Sequence, residues 1–135
     1  KKSVYKFSLR TENIKCKSDI FIVDTIGEVP EVIPHCTLIV MGGSLVKGIG
    51  GHNLIEPAIF KKCVLCGKYM ENFRDIFDMF KRKNAVMETS PETLESDIKN
   101  LLANRILLQQ TGENAFNVVC ENKGASKKVF DEIFK

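Results

Sequence analysis

Two short runs, Ile20-Phe21-Ile22-Val23 and Leu38-Ile39-Val40-Met41, are apolar at every position and are closed by Asp24 and Gly42. A strand with one wet face alternates polar and apolar residues, so an unbroken apolar run implies burial on both faces. Burial on both faces requires covering helices, and the chain supplies them. Strand patterns at residues 4–9, 20–24, 37–41, 63–66 and 85–87 alternate with helical patterns at 28–33, 53–62, 71–83, 91–104 and 107–122, and a further one opens at Ala125. The alternation predicts an α/β fold, a Rossmann-like parallel sheet flanked by helices and one half of a doubly wound arrangement.

With 135 residues, 44% of them hydrophobic, the chain suits one globular unit with a real core rather than two. No repeat, low-complexity tract or linker marks an internal boundary. Ser90-Pro91-Glu92-Thr93 reads as a helix start, with Ser90 as N-cap and Pro91 at the first helical position; Leu94, Ile98, Leu101 and Leu102 then form the stripe to be buried. Opening at Lys1 and passing almost at once into a strand pattern, the sequence is expected to be a piece of a longer chain.

Charge and cysteine usage narrow the function classes. Twenty Lys and Arg against 17 Asp and Glu leave a net charge of +3, too mild and too scattered for nucleic-acid binding. The densest basic group, Lys1, Lys2, Lys6, Arg10, Lys15 and Lys17, reads as a solvated face. Five cysteines (Cys16, Cys36, Cys63, Cys66 and Cys120) make an odd count that fits a reducing compartment better than a disulfide framework. Cys63-Val64-Leu65-Cys66 matches C-x-x-C but sits in a strand pattern with no second pair, which disfavours redox or zinc use. No apolar run reaches the length of a membrane span, and no metal cluster or Ser/His/Asp set is evident.

Ligands of doubly wound folds bind at the carboxyl ends of the strands, and two loops fall there. The richer one runs Gly42-Gly43-Ser44-Leu45-Val46-Lys47-Gly48-Ile49-Gly50-Gly51-His52-Asn53-Leu54-Ile55-Glu56-Pro57 into a helix. It fails the Walker A pattern, because Ile49-Gly50 stands where Lys-Ser/Thr is needed, and it fails G-x-G-x-x-G at Asn53. It still offers free backbone N–H groups at a helix start, a seat for phosphate. Asn53 and Glu56 form either a capping box or, beside that seat, a ligand pair in which the Glu56 carboxylate accepts both hydroxyls of a ribose. His52 can donate to an anion, whereas His35 after Pro34 reads as a surface residue. In the other loop, Asp24-Thr25-Ile26-Gly27-Glu28, Gly27 lets a backbone approach a ligand and the Ile26 and Gly27 backbone can read a base edge; an ordinary turn capped by Asp24 or Thr25 is the alternative. Asn72 and Arg74 can face the same cleft, or Phe73 can simply pack inward at a solvated helix start.

Five ordered blocks together resemble the C-terminal half of bacterial 3-deoxy-D-manno-octulosonic acid (Kdo) transferases. They are Ile22-Val23-Asp24-Thr25-Ile26-Gly27-Glu28, Met41-Gly42-Gly43-Ser44-Leu45, Gly50-Gly51-His52-Asn53-Leu54-Ile55-Glu56-Pro57-Ala58, Val64-Leu65-Cys66-Gly67 with Glu71-Asn72-Phe73-Arg74, and Asn122-Lys123-Gly124-Ala125. The pattern differs from the family's at Ile26, Leu54 and Pro30 and keeps the carboxylates and glycines. The resemblance implies the C-terminal half of a GT-B glycosyltransferase, with residues 1–135 as its CMP-Kdo (donor) binding domain. It implies CMP contacts from Ile26, Gly27 and Glu28 and from Asn53, Leu54, Ile55 and Glu56, with Gly43, Ser44, Gly51 and His52 lining the cleft.

The resemblance further implies that the catalytic base, the acceptor site for the lipid A precursor and the membrane contact lie in an N-terminal domain absent from this sequence. The whole enzyme would then transfer Kdo from CMP-Kdo with inversion, without a metal or other cofactor, at the cytoplasmic face of the bacterial inner membrane. The fragment itself would be soluble and inactive alone. A UDP-sugar-dependent GT-B domain and a non-catalytic nucleotide-binding module are the alternatives.

Overall fold

The computed structural model describes residues 5–12 and 18–122. Val4, Cys16, Lys1, Lys2, Lys15, Lys17, the segment from Ala125 and the Lys123-Gly124-Ala125 part of the last family-like block lie outside the described residues. The chain divides into two compact units, Lys1–Val32 and Ile33–Lys135, at a point inside the Pro30 to Pro34 stretch where the sequence shows no break.

In the first unit, β1 (Phe7–Leu9) pairs in parallel with β2 (Ile20–Ile22), with Phe7 opposite Ile20 and Leu9 opposite Ile22. A single-turn helix, α1 (Val29–Val32), follows the β2 loop. The expectation that β2 is buried on both faces is not met, because Ile20, Phe21 and Ile22 are all exposed by more than 40%. The described part of this unit offers a two-stranded sheet, one turn of 3-10 helix at Arg10–Glu12 and one turn of α-helix, too little to cover both faces of a strand.

The second unit carries the core. β3 (Ile39–Met41), β4 (Val64–Cys66) and β5 (Met87–Glu88) form a parallel sheet in that order. Register sets Ile39 opposite Val64 and Met41 opposite Cys66, which in turn lies opposite Glu88, so the three carboxyl ends fall on one rim. Helix α2 (Ile55–Ile59) lies between β3 and β4, α3 (Arg74–Arg82) between β4 and β5, and α4 (Leu94–Ala103) and α5 (Arg105–Glu121) follow.

β4 is the strand buried on both faces, and its alternation sorts the core. Val64 and Cys66 join Met41, Leu54, Ala58, Phe77, Phe80 and Val118 in one cluster, while Cys63 and Leu65 join Leu101 in a second. Helices α2, α3 and α5 feed the first cluster and α4 feeds the second, so helices cover both faces of this sheet as the alternation predicted. At roughly 1.5–3 kcal/mol for each large apolar side chain buried, these two clusters supply the main driving force of the unit. β3 is only partly covered, with Val40 exposed.

Helix starts follow local chemistry. The Ser90 hydroxyl accepts the Thr93 N–H (3.3 Å) and its carbonyl accepts from Thr93 and Leu94, so Ser90 does cap the turn that leads into α4. Regular helix begins only at Leu94, and of the expected stripe Leu101 is buried, Leu94 and Ile98 are half-buried, and Leu102 is exposed. Helix α5 begins two residues earlier than expected because the Asn104 side chain accepts the Leu107 N–H (3.1 Å).

Candidate functional site

The glycine loop leaves β3 through one turn of 3-10 helix, Gly42–Ser44. Ser44 then does structural work. Fully buried, its hydroxyl donates to the Met41 carbonyl (2.5 Å) and accepts the Gly67 N–H (2.7 Å), while its own carbonyl accepts the Tyr69 N–H (3.0 Å). These bonds pin the carboxyl end of β3 to that of β4, and Gly67 lies so close to the Ser44 carbonyl that a Cβ there would collide with backbone. The far side of the loop is held by Asn72, whose N–H donates to the Gly50 carbonyl (3.2 Å) and whose Nδ2 donates to the Ile49 carbonyl (3.2 Å). Gly50 and Gly51 hold φ of +82° and +75° against Asn72 and Met70, a path that side-chain-bearing residues rarely take.

Loop residues differ in what they present. His52 is exposed and its N–H points to the Met41 sulfur (3.4 Å), with its ring beside Gly43. Asn53 forms a local turn, Oδ1 accepting the Ile55 N–H (3.0 Å), rather than the expected capping box with Glu56. Leu54, wholly buried, and Ile55, 8% exposed, send their side chains into the core, so only their backbone faces the loop. Glu56 is half-buried in the first turn of α2, and among the described residues its carboxylate has no hydrogen bond or ion pair. Arg74 and Asn72 are exposed and Phe73 packs against the core, so the inward-packing reading holds for Phe73 while Asn72 still serves the loop.

The other expected loop belongs to the first unit. Ile26 is fully exposed, Gly27 adopts φ of +88°, and Glu28 pairs with the Arg10 guanidinium (2.8 Å). Asp24 accepts from the Thr11 N–H (3.1 Å) and hydroxyl (2.6 Å), and the hydroxyl bond holds its pKa below the ordinary carboxylate value. The Thr25 hydroxyl is buried with no partner among the described residues.

The thiols of the C-x-x-C stretch point to opposite faces of β4, and burial pushes Cys63 up to about 11 and Cys66 up to about 12. Neutral, buried and facing apart, they pack as small apolar groups. His35 is exposed.

The structure also shows a cavity of about 240 Å³ on the same rim, walled by Ser44 and Leu45 after β3, by residues 67–69 after β4 and by residues 88–92 after β5. Its charged groups are Lys68, Glu88 and Glu92. Sequence reasoning placed Glu92 at a helix start and assigned Lys68 and Glu88 no role; the signal that they converge lies in the register that aligns Met41, Cys66 and Glu88.

A family model described as Glycosyl transferases group 1 matches residues 1–118. The chain belongs to this family. It is similar to 3-deoxy-D-manno-octulosonic acid transferases, at 32% identity to that of Haemophilus influenzae across 97% of this chain and 31% of the relative. It is 34% identical to that of Rickettsia typhi across 84% of this chain and 24% of the relative. The chain thus spans about a third or less of the length of these curated relatives. Among solved structures it matches the C-terminal CMP-Kdo binding domain of WaaA from Acinetobacter baumannii, with a TM-score of 0.79, 25% identity, and coverage of 85% of this chain and 61% of that one. The resemblance to Kdo transferases and the C-terminal GT-B architecture read from the sequence therefore hold. Among the described residues no helix is long and apolar enough to cross a membrane.

Proposed function

We propose that this chain is the donor-binding part of a Kdo transferase and that its ligand is the CMP moiety of CMP-Kdo. The observation that carries the reading is the likeness to a CMP-Kdo binding domain over 85% of the chain. Two features of the loops support it. Among the described residues, the Glu56 carboxylate in the first turn of α2 has no hydrogen bond or ion pair, which leaves it to accept ribose hydroxyls, and the buried Thr25 hydroxyl has no partner.

In this reading Ile26, Gly27 and Glu28 are the CMP contacts of the first unit, with the Glu28 carboxylate also paired with Arg10. Asn53 and Glu56 meet the ribose. The backbone of Leu54 and Ile55, with Gly43, Gly51 and His52, surrounds the phosphate; Ser44 contributes by fixing the loop. Helix α2 is five residues long, so the phosphate seat rests on the loop's amides and little on a helix dipole. Such preset donors stabilise charge that develops on the departing CMP phosphate without a metal ion. The whole enzyme then passes Kdo with inversion to a lipid A precursor at the cytoplasmic face of the inner membrane, with base, acceptor site and membrane contact supplied by the rest of the protein, and this chain alone is inactive.

Calorimetric titration with CMP, UMP and UDP tests the reading against a UDP-sugar domain. Cytosine presents an amino donor where uracil presents a carbonyl, so a site built for one leaves polar groups unpaired against the other. CMP binding at least tenfold tighter than UMP is the expected result. Equal or stronger UMP or UDP binding contradicts it.

A further inference from the structure

We propose that the cavity at the carboxyl ends of β3, β4 and β5 holds the acidic sugar of the donor, with the Lys68 ammonium on the sugar's carboxylate; this rests on the donor-binding reading above. Position is the first argument. The cavity and the glycine loop share a wall: Ser44 and Leu45 of the loop line the cavity with Gly67, Lys68 and Tyr69, and the Tyr69 carbonyl and Met70 lie against Gly51. A nucleotide phosphate seated on the glycine loop therefore has the cavity beside it, as the phosphate-linked sugar of a nucleotide sugar requires.

Size is the second. At about 240 Å³ the cavity is smaller than the roughly 300–1,000 Å³ typical of drug-sized ligand sites, a size that suits a monosaccharide.

Charge is the third. Glu88 is already matched by Lys81, and Glu92 takes a hydrogen bond from the Ser90 hydroxyl. Lys68 is exposed and makes no ion pair among the described residues; it rests 5.2 Å from the centre of the Tyr69 ring and, after the Ser90 hydroxyl bond, its charge helps to hold the Glu92 carboxyl below its ordinary pKa. An ammonium with no direct carboxylate contact, beside carboxylates that accept hydroxyl protons, is the complement of a polyhydroxylated acid.

The test is calorimetric titration of the 135-residue chain with CMP and with CMP-Kdo, for wild type, Lys68→Met and Lys68→Arg. Wild type is expected to bind CMP-Kdo roughly tenfold or more tighter than CMP, the range of one charge-assisted hydrogen bond. Lys68→Met loses that increment, Lys68→Arg keeps most of it, and CMP binding is unchanged in both. A full increment in Lys68→Met, or none in wild type, overturns the sugar subsite while leaving CMP binding intact. Absence of binding to both ligands instead overturns the donor-binding reading, and the subsite with it.

Discussion

Replacing Ser44 with alanine separates a structural hydroxyl from a ligand-binding one. The side chain is fully buried, and its oxygen both donates to the Met41 carbonyl (2.5 Å) and accepts the Gly67 N–H (2.7 Å). Ser44→Ala removes both bonds and strands a buried N–H, because the close approach of Gly67 to the Ser44 backbone leaves no room for a replacement water. One lost bond costs about 1 kcal/mol and one orphaned buried donor about 1–3, so the variant is expected to lose about 2–4 kcal/mol. Against a total of roughly 5–15 kcal/mol for a domain, that loss is large. Urea denaturation followed by circular dichroism measures it. With an m value of about 2 kcal/mol/M, the midpoint falls by about 1–2 M at unchanged m. A midpoint within about 0.3 M of wild type, together with weakened CMP binding, would show that the hydroxyl serves the ligand and that the pinning of β3 to β4 is unimportant.

Glu56→Gln is expected to weaken CMP binding about tenfold in calorimetry while leaving the melting temperature unchanged, since its carboxylate has no partner among the described residues and the proposed function gives it the ribose hydroxyls. Gly51→Ala is expected to cost about 1–2 kcal/mol in the same urea assay, because φ there is +75° and Met70 must move aside. Cys63 and Cys66 have folded-state pKa values of about 11 and about 12, above the ordinary 9.0, so the folded state holds protons that the unfolded state releases. Their contribution is complete below pH 9 and falls as pH rises from there toward 12; urea midpoints should decline over that window, and less steeply in a Cys63→Ala, Cys66→Ala variant.

The sequence made the second unit readable because its signals are local and repeated. The apolar strands, the alternation with helices and the Ser90 cap all reappear, and β4 shows the two-sided burial that a continuous apolar run implies. The same inference failed for Ile20–Ile22, since burial depends on what packs against a strand and not on its composition alone. Leu102 has the spacing of a core residue yet is exposed, for it falls at the end of α4 just before the Asn104 cap turns the chain. In the candidate site, the glycine loop and Glu56 were legible from residue type. The consumption of the Ser44 hydroxyl by Met41 and Gly67 was not, because it arises from two segments 23 residues apart. Lys68 escaped notice for the same reason: its neighbours Glu88 and Glu92 arrive through strand register, a property of pairing that no single segment records.

Amide chemical shifts of the 15N-labelled chain during CMP titration test most directly whether the glycine loop of the second unit binds CMP. Saturable shifts at Gly51, Asn53 and Glu56 that fit one dissociation constant and are much weaker with UMP are the predicted result. No shift at these residues up to millimolar CMP, or equal shifts with UMP, would contradict it.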